Sequence, residues 1–184
     1  MTLLIIGLLL WSGTHLFKRL FPTGRNALGK LGKPVVAVIL IVSVSFMVIG
    51  YSEANSVELL TAPAWAWHLN NGLMFAALFL LAVSKIKGVV RSKIRHPMLT
   101  AVAVWAAAHL LINSNPVAFI LFGGLGLWSI AEIIVINRAD GPWARPEIGL
   151  ARRDLFMGFV ASIVYVMILE VHEFFGRSAT LVIL

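Results

Sequence analysis

The chain has 184 residues, 60% of them hydrophobic and 12% charged, with no cysteine, a formal charge of +7 and a mean hydropathy of +0.94. A soluble domain carries about 25% charged residues, so this chain has too little polar surface to coat a core in water, and the absence of cysteine excludes disulfides, thiolate metal sites and cysteine nucleophiles. The basic excess does not read as a nucleic-acid surface, because it sits in short loops between apolar runs, with no basic face and no interleaved aromatic residues.

Six apolar runs follow one another, roughly 2–17, 34–51, 65–84, 97–113, 116–136 and 157–175. Each is near the length of about 20 residues that crosses the hydrocarbon core, and each must be helical, because lipid offers the backbone no hydrogen-bond partner. The expected fold is all-α, a polytopic transmembrane bundle of about six helices forming one integral membrane domain over 1–184, with the lipid bilayer as its main partner. The first run lacks a basic leader and a small-residue cleavage site and is followed by Lys18 and Arg19, so it reads as a retained span rather than a signal peptide. Lys18, Arg19, Arg25, Lys30 and Lys33 fill the first loop; Lys85, Lys87, Arg91, Lys93 and Arg95 the third; Arg138, Arg145, Arg152 and Arg153 the fifth. The second and fourth loops have neither Lys nor Arg, and Arg177 alone departs from the alternation. The positive-inside rule then makes the odd loops cytoplasmic and puts both termini on the other side.

The histidines are the main candidates for chemistry. His15, His68, His109 and His172 lie in or at the edge of apolar runs, and His96 opens the fourth. An imidazole within the bilayer needs a partner, which makes it a functional candidate; bonding to another helix or snorkelling to the interface is the plainer reading. Two W-x-x-x-H elements are more specific: Trp11 to His15, and Trp105 to His109. Residues at i and i+4 share a helical face, small residues between them keep that face low, and a flat ligand such as haem, whose iron takes neutral imidazole, can approach there. Trp–His packing between helices is the alternative. The two elements run in opposite directions, a weak echo of an inverted repeat.

Depth separates the histidines. His15, His96 and Glu132 fall in the cytoplasmic third, whereas His68, His109 and His172 fall in the opposite third. His68/His109 and His109/His172 are therefore rivals to a His15/His109 pair. Arg95 and His96 precede Pro97, a favoured first-turn residue, and are candidates for an anionic substrate or headgroup, with an interfacial cap as the simpler role. Glu170 and Glu173 flank His172 and can orient its imidazole. Gly123, Gly124 and Gly126 suggest close helix packing. No phosphate loop, zinc-protease helix or Ser-His-Asp arrangement is visible, and no catalytic residue can be named.

The stretch Arg95-His96-Pro97-Met98, then Val104-Trp105-Ala106-Ala107-Ala108-His109-Leu110-Leu111 and Asn113, resembles the NnrU family of bacterial membrane proteins. His15 before a basic patch, and Pro63-Ala64-Trp65 before His68, fit the same family; the likeness is weakest after about residue 138. The resemblance implies an inner (cytoplasmic) membrane location and an association with denitrification. The family is also similar to plant 15-cis-zeta-carotene isomerase, a haem b membrane enzyme. That likeness nominates His15 and His109 as axial ligands and cis–trans isomerisation of an apolar polyene as a possible activity. The cysteine offered there as an alternative ligand falls at Ala106. Two other classes stay open: a non-enzymatic accessory subunit or assembly factor, with a membrane-protein partner or a second copy of the chain, and a relative of isoprenylcysteine-type methyltransferases, which share an Arg-His-Pro stretch.

Overall fold

The computed structural model describes residues 1–175; Arg177 lies outside them. No strand occurs among the described residues. Five helices are long and apolar enough to cross a membrane, and a sixth is shorter. They are α1 (Thr2–Leu20), α2 (Gly32–Ser52), α3 (Ala64–Val83), α4 (Pro97–Ile112), α5 (Pro116–Asp140) and α6 (Ala151–Phe174). The bundle expected from the apolar runs is present. Its exposed side chains include Leu9, Ile41, Leu127, Leu155 and Phe159, as befits a protein whose solvent is lipid. At 16 residues, α4 is about 24 Å long.

Helix ends follow local chemistry. Helix α1 runs past its apolar stretch through Lys18 and Arg19, whose charges suit the negative end of the helix dipole. Pro97 and Pro116 open α4 and α5, where a missing N–H costs nothing. The Asn115 side chain caps α5 by accepting from the Ala118 N–H at 2.8 Å. Gly141 ends α5 at φ 68°, a left-handed conformation that glycine adopts freely. Helix α6 begins at Ala151, ahead of its apolar run, because Asp154 in the first turn accepts from the Val89 and Val90 N–H groups at 2.6 and 3.2 Å and so pins the third loop to the helix start.

The helices pack as a curved row in the order α2, α1, α5, α4, α3, α6. The end members, α2 and α6, share no extensive contact among the described residues. Close approach of α1 and α2 depends on two glycines. A Cβ on Gly7 would lie 2.7 Å from the Ser43 carbonyl oxygen, and one on Gly50 would overlap the Leu4 backbone. Small residues at such crossings let dispersion contacts form along the whole interface. The core lies where α1, α2 and α5 meet, around Leu4, Met47, Leu125 and Trp128; Ala106, Ala118 and Phe122 form a second cluster between α4 and α5.

The loops fall into two sets. At one end Arg19 bridges Asp140 at 2.6 Å, Arg95 donates to the Gly141 carbonyl at 2.9 Å, and His96 Nε2 bonds Asn137 Oδ1 at 2.9 Å. At the other, Glu58 in the α2–α3 loop accepts from Ser114 and Asn115 in the α4–α5 turn. Odd and even loops therefore lie at opposite ends of the bundle.

Candidate functional site

The concave side of the row encloses a cavity of about 810 Å³ to which all six helices contribute. Its volume falls within the range of about 300–1,000 Å³ typical of small-molecule and cofactor sites. Trp11, Tyr51, Trp67, Trp105, Phe122 and Tyr165 supply aromatic wall, while Asn70, Asn71, Asn113, His109 and His172 supply polar groups. No Lys, Arg, Asp or Glu is among the lining residues. Asn70 is only 4% exposed; its amide nitrogen donates to Asn71 Oδ1 at 3.1 Å, and its own Oδ1 has no partner.

His109 is held on three sides. Its ring stacks on Phe122 at a centroid distance of 4.3 Å and an interplanar angle of 22°, and Trp105 sits 4.9 Å away. Nδ1 lies 3.0 Å from the Trp105 carbonyl oxygen. A carbonyl only accepts, so Nδ1 carries the hydrogen and Nε2, directed away from the helix, keeps its lone pair. A π-helical turn over Phe119–Gly123 interrupts α5 at the Phe122 platform; such turns gather at functional sites. His172 has the same tautomer, with Nδ1 2.8 Å from the Ile168 carbonyl, and it too lines the cavity.

The other candidates lie elsewhere. His15 shares the tautomer, donating to the Trp11 carbonyl at 2.9 Å, but its ring is packed between Trp11 at 4.3 Å and Trp128 at 4.8 Å. Trp11 lines the cavity and His15 does not. Both W-x-x-x-H elements thus lean on α5, one at Phe122 and the other at Trp128. Six residues separate these contacts, about 9 Å along the axis, so His15 and His109 are not brought together. His68 is exposed and outside the cavity. Arg95 and His96 are engaged in the contacts that bind α4 to α5. Glu132 is buried, interacts electrostatically with His15 and Arg19, and leaves Oε2 without a partner. Ala106 lies in the α4–α5 interface, 2% exposed, rather than in the cavity wall. Tyr165, Asn70 and Asn71 were missed by sequence reasoning: an isolated tyrosine or amide in an apolar run carries no spacing signal. No group of three or more potential metal ligands occurs among the described residues.

Fold and cavity together define a polytopic helical membrane protein with a chamber between its helices. The chain matches the NnrU protein family over residues 3–179 and belongs to that family. The match continues well beyond residue 138, where the resemblance read from the sequence was weakest. No curated protein and no solved structure matches the chain.

Proposed function

We propose that this NnrU-family protein binds haem b in the intramembrane cavity, with His109 as an iron ligand. The observation that carries the reading is the His109 imidazole itself, fixed by the Trp105 carbonyl and the Phe122 ring so that Nε2 offers a lone pair in an apolar chamber of cofactor size. A porphyrin suits the aromatic walls, and the Asn70, Asn71 and Asn113 amides lining the cavity would be polar partners for its carboxyl groups. The donor set fits as well. One or two imidazoles are too few for a closed structural metal site, but they complete an iron already held by four porphyrin nitrogens.

When bound, haem supplies an iron centre for ligand exchange or one-electron chemistry. The chain's part is to hold that group, exclude water and admit an apolar molecule. The end helices α2 and α6 both line the cavity without packing extensively on each other, and a lateral route from the bilayer between them would favour isomerisation of an apolar polyene over chemistry on a water-borne substrate. The reading places the protein in a bacterial inner membrane, in a role connected with denitrification or with such an isomerisation.

Detergent-purified protein supplied with haem is expected to show a Soret band with one haem per chain. His109→Ala should weaken haem retention by at least about tenfold. A wild-type preparation that stays colourless after haem supplementation overturns the proposal and leaves the accessory role. Tight binding of S-adenosylmethionine would instead support the methyltransferase relationship.

A further inference from the structure

His172 enters the cavity from α6, a helix that packs on α3 rather than on α4. Its Nδ1 is committed to the Ile168 carbonyl at 2.8 Å, as the Nδ1 of His109 is to the Trp105 carbonyl at 3.0 Å. Each ring therefore presents Nε2 as an acceptor, and among the described residues no hydrogen bond to either Nε2 occurs. The cavity contains two lone pairs of one kind, from two helices, with no acid among its lining residues to satisfy them. A metal with two open coordination positions answers both.

His15 offers the same nitrogen in the wrong place. Two imidazoles on one iron stand about 4 Å apart nitrogen to nitrogen, at about 2 Å per metal–nitrogen bond. His15 packs on Trp128 and His109 on Phe122, contacts separated by about 9 Å along α5. The indoles of Trp11 and Trp128 cover the His15 ring, and His15 does not reach the chamber wall.

We infer that His172, not His15, is the second iron ligand, so that His109 and His172 would hold the cofactor from two helices that both pack on α3. The inference rests on haem occupying the cavity. It makes the cofactor a tie between α4 and α6 and gives the outer end of α6, where packing is sparse, its anchor. His15 then has a packing role with Trp11 and Trp128.

The test is the spectrum of haem-loaded protein in detergent. Wild type is expected to be six-coordinate and low-spin, with sharp ferrous α and β bands. His172→Ala should keep haem but become five-coordinate and high-spin, bind carbon monoxide faster, and return to low spin when imidazole is added. His172→Met, which keeps bulk and a ligand atom, should replace the bis-histidine near-infrared charge-transfer band with a histidine–methionine one. His15→Ala should leave the spectrum of the loaded protein unchanged. A high-spin His15→Ala beside a low-spin His172→Ala overturns the assignment, as does a five-coordinate wild type. Haem-free wild type overturns the assignment together with the haem reading, an outcome distinguished by the missing Soret band.

Discussion

Glu58 is the residue that ties the α2–α3 loop to the α4–α5 turn. Its carboxylate accepts from the Ser114 N–H at 2.6 Å, from the Ser114 hydroxyl at 3.0 Å and from the Asn115 amide, while the Ser114 hydroxyl also meets the backbone of Leu60. Partial burial pushes the Glu58 carboxyl up, but the bonds from Asn115 and Ser114 outweigh it and hold it below the ordinary carboxylate value. A folded-state value below the unfolded one gives stability that is complete above the unfolded pKa, about 4.3, and is lost as pH falls through the folded value. Thermal unfolding in detergent should therefore separate wild type from Glu58→Gln at pH 7, by about 1 kcal/mol or less because the side chain is exposed. The two should converge only once the pH has fallen below the folded value. A difference that persists in acid would place the effect in packing. The sequence showed Glu58 only as an acid in an outer loop; its partners lie over fifty residues away and no local pattern predicts them. His109 was legible, since W-x-x-x-H sets the ring on one face and offers it the i−4 carbonyl. His15 has the same local pattern, and only its neighbour on α5, Trp128 instead of Phe122, gives it a different setting.

At the scale of the element, the pair α1–α2 is most sensitive to a single methyl group. Gly50 meets the Leu4 backbone and Gly7 meets Ser43 and Met47, whereas a Cβ at Gly13 meets nothing within 4 Å. Gly50→Ala should cost about 1–3 kcal/mol as the helices are forced apart, and Gly13→Ala should change stability by no more than about 0.5 kcal/mol. Thermal unfolding of both variants checks the contrast, and equal effects would mean that helix propensity, not contact, controls these positions. Met47 and Tyr51 carry the same displacement to the cavity wall, so on the proposed haem reading Gly50→Ala should also weaken haem retention. The existence and direction of the helices were legible because hydrocarbon thickness imposes one run length on every span. The extension of α6 back to Ala151 was not, because Arg152, Arg153 and Asp154 end an apolar run without ending a helix. Nor was the row order: in lipid, helix neighbours are selected by close-packed small residues and a few polar contacts, which leave little periodic trace.

At the scale of the whole molecule, one ion pair and a few side-chain hydrogen bonds join odd loops to odd and even to even, and the basic residues of the interhelical loops lie almost wholly at the odd-loop end. Carrying such loops across the membrane is opposed, so that end is expected to be cytoplasmic. His109 and His172 lie near the ends of α4 and α6 away from the basic loops, so the positive-inside expectation puts the chamber in the outer half of the bilayer. The chain has no cysteine, so single substitutions report without background. Glu53→Cys, in an exposed outer loop, should react with a membrane-impermeant maleimide in cells whose outer barrier has been opened. Lys87→Cys, exposed in the third loop, should react only after the inner membrane is broken. The reverse pattern would invert the molecule and move the chamber to the cytoplasmic half. Labelling of both sites in unbroken cells would mean that the two loops share one side, contrary to an up-and-down row. The expected pattern would put His109 and His172 on the outer-leaflet side of the midplane and the Arg19–Asp140 and Arg95–Gly141 contacts at the cytoplasmic end.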